Sequence, residues 1–471
     1  MWPLTAYIVI LLVYLPGLWL VFRSRTAGRL PLITFCFLGQ FLFNAVGSWH
    51  VMQRLVPGWY SDLSEIYPTS LASPTYVGML LMQVLLFYAI AGPYWWWKSR
   101  QVNAPVQTTT ASPLPRLPDR CFPWIAVTLI VGTMAAWVAT GGRFLIGDLI
   151  AGRINTDNIL EFRSATYGRP DFWLYLIGLR FLPSILFAFV VLRCVARNTC
   201  RWTDGLLAAC CCFPHLMLAE KSGILYLAAA GTIAAAMGLS ARGSSLLKLV
   251  SPRACLLLAL AFVPTITTYT IYTRHEPGTS AFDMARKLTW RIAGVYSESL
   301  AATVPINAYF GEFEGASLPT IRGLLPHHRM NLERAMHEFL WHGRLQPERT
   351  GLAGTTPVSV TGEGYLNFGW KGAVGFVLFA ALVVVGMQEF LLRLPQGLMI
   401  RALTAQQAWL CTCLWTIGLF STLVSLVHTF ILLSGIAGWF LLAGMEQLQR
   451  NRRPTDRVSE SVEPPAQRIA A

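Results

Sequence analysis

Charge is what this sequence has least of: only 13% of its 471 residues are Asp, Glu, Lys or Arg, where roughly 25% is usual in a soluble domain. A fold with a solvated surface on every side is thereby excluded. No C-x-x-C pair occurs among the ten cysteines, so nothing in their spacing suggests zinc or redox work. All ten lie in expected spans or in stretches assigned below to the cytoplasm, which excludes a disulfide framework in a long outer loop. No Gly-x-x-x-x-Gly-Lys phosphate loop is present, and no cytoplasmic stretch is long enough for a nucleotide-binding domain. An ATP-driven pump and a sugar-nucleotide enzyme with a soluble catalytic domain are disfavoured. The short alternating segments of a membrane β-barrel are missing too.

What remains is apolar. The chain is 54% hydrophobic with a mean hydropathy of +0.50, arranged in blocks of about 20 residues, enough for a helix to cross a hydrocarbon layer of about 30 Å. The expected fold class is an all-α polytopic integral membrane protein. Eleven spans are expected, at 1–22, 30–48, 74–97, 121–140, 172–192, 204–219, 222–240, 254–272, 372–392, 405–425 and 428–446. They divide the chain into spans 1 to 8 within 1–272, with outer loops at 49–73 and 141–171. A large outer loop follows at 273–371, then spans 9 to 11 within 372–446, then a disordered cytoplasmic tail at 447–471.

The first apolar run, Met1 to Phe22, has no basic region before it and is followed by Arg23, Arg25 and Arg29. That order reverses a secretory signal and predicts a retained span with the N-terminus outside. Lys and Arg then concentrate in alternate loops, which places the C-terminus in the cytoplasm. Topology therefore accounts for much of the net charge of +14, and nucleic acid is not an expected partner. Val102 to Pro118 and the tail after Arg450 read as linkers.

Polar chemistry gathers in the outer loops. The loop at 141–171 carries Arg143, Arg153, Arg163 and Arg169. The large loop carries Arg322, His327, His328, Arg329, Arg334, His337, Glu338 and His342. Arginine suits a site for phosphate oxygens, because its planar fork makes two parallel charge-assisted bonds and keeps its proton. The same arginines could equally pair with neighbouring carboxylates or anchor lipid headgroups. Arg180 interrupts an apolar span and either faces an interior or aqueous cavity, or snorkels to the outer surface. Glu220 and Lys221 form a boundary pair in a tight turn, or Lys221 caps an anionic site from below. His215 and His428 suit hydrogen-bonded core positions. The spacing His337, Glu338, His342 misses the H-E-x-x-H zinc pattern by one residue, so no metal is expected.

The large loop closes on Gly362-Glu363-Gly364-Tyr365-Leu366-Asn367-Phe368-Gly369-Trp370-Lys371-Gly372. This junction resembles that between the large periplasmic loop and the following helix in bacterial O-antigen and exopolysaccharide repeat-unit polymerases of the Wzy type. The arginine-bearing loop before the fifth span, the turn Glu220 to Gly223 and one long outer loop late in the chain agree with it. The paired Arg-x(10)-Gly motif of some members is not formed, and Lys221 stands where an arginine is expected.

The resemblance implies a GT-C-like membrane glycosyltransferase of the bacterial inner membrane, without metal or cofactor. It would transfer a growing glycan from undecaprenyl pyrophosphate to a hydroxyl of the next lipid-linked repeat unit. Implied partners are the undecaprenyl-pyrophosphate-linked oligosaccharide and the lipid bilayer, with a chain-length regulator and a flippase as further possibilities. On this reading Arg163, Arg169, Arg322 and Arg329, supported by Arg180 and Lys221, hold the pyrophosphate. Glu363, or else His327 or His337, takes the acceptor proton. Tyr365 and Trp370 stack on sugars or belong to an interfacial belt. An O-antigen ligase shares donor and topology; a transporter or flippase would be expected to show repeats and broken helices.

Overall fold

The computed structural model describes residues 2–23, 26–53, 73–103, 115–144, 147–148, 151–153, 175–218, 221–242, 293–318, 332–333, 335–336, 356–418 and 426–452. Among them there is helix and no strand. Helix α1 is Trp2–Arg23. Helix α2 joins Pro31–Gln40, a π-helical stretch Phe41–Val46, and Gly47–Gln53. Then follow α3 (Pro74–Asn103), α4 (Leu117–Ala139), a π-helical turn Ile177–Phe181 leading into α5 (Leu182–Arg197), α6 (Trp202–Met217) and α7 (Lys221–Ala241). The last four are α8 (Val295–Phe310), α9 (Val360–Arg393), α10 (Leu398–Cys413) and α11 (Leu426–Arg452).

Eight of these are long and apolar enough to cross a membrane: α1 to α4, α5 with its π turn, α7, α9 and α11. The protein is thus a helical, multi-pass membrane protein. The expected span 204–219 corresponds to α6, of 16 residues, about 24 Å at 1.5 Å per residue and short of the hydrocarbon thickness. The expected span 405–425 begins within α10 (Leu398–Cys413), and its part 419–425 lies outside the described residues. The expected span at 254–272 lies outside the described residues.

Helix α10 is the axis of the bundle. It packs on α2, α4, α5, α7, α9 and α11, and nearly every side chain from Met399 to Cys413 is buried. Thr404, Gln406, Gln407 and Thr412 are buried with its apolar residues, as expected of a helix surrounded by others on every side.

Helix ends come together at one end of the bundle through contacts made in trans. Both carboxylate oxygens of Asp119, in α4, accept from the N–H groups of Leu398 (3.1 Å) and Met399 (3.0 Å). They cap α10, whose N-cap Gly397 has no side chain to offer. Gln388 of α9 accepts from Leu32 N–H at 2.9 Å, and Glu446 of α11 from Leu117 N–H at 2.6 Å. Carbonyl ends are met by cations: Arg401 donates to Met237 at 3.0 Å and Arg242 to Ala196 at 2.8 Å. Lys98 pairs with Glu389 at 3.2 Å, and Arg193 with Asp204. Each bond satisfies a terminal backbone group or charge that would be costly against lipid. The ends of α2 to α7 and of α9 to α11 meet here, beside the loops that hold the Lys and Arg excess; we call this the basic end.

Candidate active site

The opposite end contains two interruptions. Helix α9 breaks at Phe368 (φ −143°, ψ 24°) and Gly369 (φ 58°, ψ −146°). The pieces on either side, 360–367 and 370–393, fold against each other as a hairpin. A Cβ on Gly364 would lie 2.4 Å from the Gly372 carbonyl oxygen, and one on Gly372 would lie 2.1 Å from that of Gly364. In one continuous helix these two residues would be about 12 Å apart. Depth along α3 gives the direction: Trp370 packs on Gly78, whereas Thr361 hydrogen-bonds Gln83 at 2.7 Å, further toward the basic end. The arm 360–367 therefore starts inside the bundle and climbs to the break, from which 370–393 descends.

The expected span start at 372 falls inside this hairpin. Sequence alone missed it because the glycines read as a loop ending, whereas they are the contact points between two helices. Carbonyls orphaned by the break are met from the preceding segment: Leu366 and Asn367 accept from Phe313 (2.9 Å) and Glu314 (3.0 Å) N–H. Asn307 Nδ2 donates to Tyr365 O at 3.1 Å, and Asn367 Nδ2 to Ser317 Oγ at 2.6 Å. Irregular backbone at this depth is tolerable only when so enclosed.

The second interruption is the end of α10, where Cys413 is followed by turns through Ile417. The start of the climbing arm meets this end of α10, as Val360 N–H donates to Leu414 O at 3.1 Å. Glu363, only 6% exposed, lies in the first turn of the climbing arm, where the helix dipole favours a carboxylate. Its Oε2 would be 2.4 Å from a Cβ on Gly418. A glycine there lets the carboxylate rest against backbone.

Arg180 occupies the other flank. It stands in the π-helical turn, its guanidinium 4.7 Å over the Tyr226 ring. Tyr226 in turn meets Trp409 edge-on at 5.4 Å, and Phe181 meets His428 at 4.6 Å. π-Helical turns of this kind are frequent at functional sites. Arg180 thus stacks through Tyr226 toward Trp409 in the last turns of α10, while Glu363 lies against Gly418 just past its end. Lys221 is the first residue of α7, five positions before Tyr226, about 7.5 Å along the axis.

At the hairpin tip, Tyr365 is buried and meets Trp370 edge-on at 5.9 Å, while Trp370 is 43% exposed. Beside them an exposed carboxylate, Glu312, would meet a Cβ on Gly369 at 2.4 Å. Sequence reasoning missed Glu312 and Gln83, whose local pattern marks neither, and gave no separate role to Thr361 or Asn367 beside and within the junction. Arg163, Arg169, Arg322, His327, Arg329 and His337 lie outside the described residues. His215 is buried with its ring against Gly223, and His428 is buried against Phe181.

Among the described residues one trio could offer metal ligands, Cys194, Cys200 and Asp204, at the basic end. Its carboxylate is already held by Arg193 and, at 2.9 Å, by Arg201 N–H. It lies remote from the interrupted helices and forms no part of this site. Comparison of the chain with protein-family models, with curated proteins and with solved structures gave no match.

Proposed function

We propose that the protein polymerises undecaprenyl-pyrophosphate-linked oligosaccharide repeat units into a surface polysaccharide, at the membrane face opposite the basic end. The observation that carries this reading is the presence of an acid, Glu363, against Gly418 just past the end of α10 and of a cation, Arg180, stacked through Tyr226 on its last turns. Group transfer from a lipid pyrophosphate needs one cationic element for the leaving group and one base for the acceptor. In this reaction the acceptor oxygen bonds to the anomeric carbon of the donor glycan, the bond from that carbon to the pyrophosphate oxygen breaks, and the hydroxyl proton passes to Glu363. Arg180 and Lys221 neutralise the departing lipid pyrophosphate, joined by Arg163, Arg169, Arg322 and Arg329. Trp370 and Glu312 border the acceptor sugar. The junction Gly362 to Gly372, on which the family resemblance rests, is the hairpin itself.

A second reading, a transporter of the same pathway, draws on the interrupted helices, since transporters place substrate at such breaks. No internal repeat accompanies them in the sequence. Deleting the gene and resolving the surface polysaccharide on a gel separates the readings. A polymerase leaves a single repeat unit on the acceptor, a ligase leaves unattached long chains, and a transporter leaves lipid-linked units on the cytoplasmic face. An unaltered glycan profile would overturn all three.

A further inference from the structure

At the basic end, α4, α5 and α6 enclose a cavity of about 650 Å³ whose mouth is lined by Arg116, Arg120, Arg193 and Arg197. Its walls turn apolar immediately above, through Pro123, Val127, Leu206 and Leu207. Two indoles border it, Trp124 and Trp202, 72% and 77% exposed. Exposed tryptophans of this kind mark the headgroup level of a bilayer.

Cys210 lines both this cavity and a second one of about 810 Å³, which continues between α4 and α6 along Ile130, Met134, Val138 and Phe213 and is almost wholly apolar. From Arg120 to Val138 the combined groove follows α4 for about 27 Å, beyond the roughly 15 Å of one leaflet's hydrocarbon.

The charges at its mouth are not balanced from within. Arg193 is paired with Asp204, and Asp119 is turned to the N–H groups of α10. That leaves Arg116, Arg120 and Arg197, of which both Arg116 and Arg197 are exposed, as is Arg120, with no acidic partner among the described residues. A cationic mouth at the foot of a lipid-facing apolar channel is complementary to an amphiphile with an anionic head.

We propose that this groove is a binding site for an anionic phospholipid of the leaflet at the basic end. Its phosphate sits among Arg116, Arg120 and Arg197, and an acyl chain runs up between α4 and α6. Basic pockets between helices select anionic headgroups in this way. A zwitterionic lipid fills the same channel but brings its own cation to the arginines.

The test is native mass spectrometry of the full-length protein offered equimolar phosphatidylglycerol and phosphatidylcholine. Wild type is expected to retain phosphatidylglycerol with a preference of about tenfold or more, each arginine contributing about fivefold at most. The Arg116→Gln/Arg120→Gln/Arg197→Gln variant, on three exposed positions, should bring that preference close to one while eluting as wild type on size exclusion. Ala209→Phe, which fills the apolar channel, should lower retention of both lipids. Equal retention by wild type, or an undiminished preference in the triple variant, would overturn the proposal. So would displacement by inorganic phosphate at millimolar concentration, which indicates an anion site without a lipid. Displacement by tenfold less polyprenyl phosphate would also overturn it, assigning the groove to a different lipid.

Discussion

Glu363 is buried and Arg180 half-buried within the helical bundle. A carboxylate or a guanidinium in such a place must be partnered to be tolerated, which makes both sensitive points for substitution. Glu363→Gln keeps the shape and the Gly418 contact but removes the carboxylate that the proposed reaction uses as its base. Polymerisation by reconstituted protein is expected to fall about 10²- to 10⁴-fold at unchanged yield and melting temperature. Wild-type chain length in this variant would remove Glu363 from the chemistry. Both residues were legible in the sequence, because a charge beside or within an apolar run stands out without knowledge of the fold. Glu312 was not, since an acid in a polar loop is unremarkable until Gly369 is found beside it.

At the scale of elements, the hairpin of α9 depends on two glycines facing each other. Their contacts are with backbone oxygens, which cannot move aside as a side chain can. Gly364→Ala or Gly372→Ala should cost about 1–3 kcal/mol, read as a melting point several degrees lower in detergent. Gly375→Ala is the control, because nothing lies within 4 Å of a Cβ there, and alanine favours helix by up to about 1 kcal/mol. Equal melting of all three variants would mean that the hairpin does not close on these glycines. Helix α8 offers a second case. The stretch 273–371 was expected as one outer loop, yet Val295–Phe310 is a helix whose Leu300, Ala301, Ala302 and Ile306 are fully buried. Its mixture of Ser, Ala, Thr and Pro carries too weak a periodicity to announce a buried face. Only the partners, α2, α3 and α9, define one.

At the scale of the whole molecule, the gathered helix ends make orientation testable. Cys200 is an exposed thiol at the basic end. Positive charge near helix ends is retained in the cytoplasm, so a membrane-impermeant maleimide should label Cys200 in inverted vesicles and leave it unmodified in intact spheroplasts. A Cys200→Ser chain supplies the background, and labelling from outside would invert the topology. Composition, hydropathy blocks and the distribution of Lys and Arg determined by themselves that this is a helical membrane protein with one basic end, because each is a sum over many residues against a single solvent boundary. The direction of the 360–367 arm, the meeting of two broken helices and the placing of Glu363 and Arg180 about α10 were decided only by tertiary structure. They rest on single contacts between residues far apart in the chain, such as Thr361 with Gln83 and Val360 with Leu414, and helical periodicity is identical whether a helix continues or turns back.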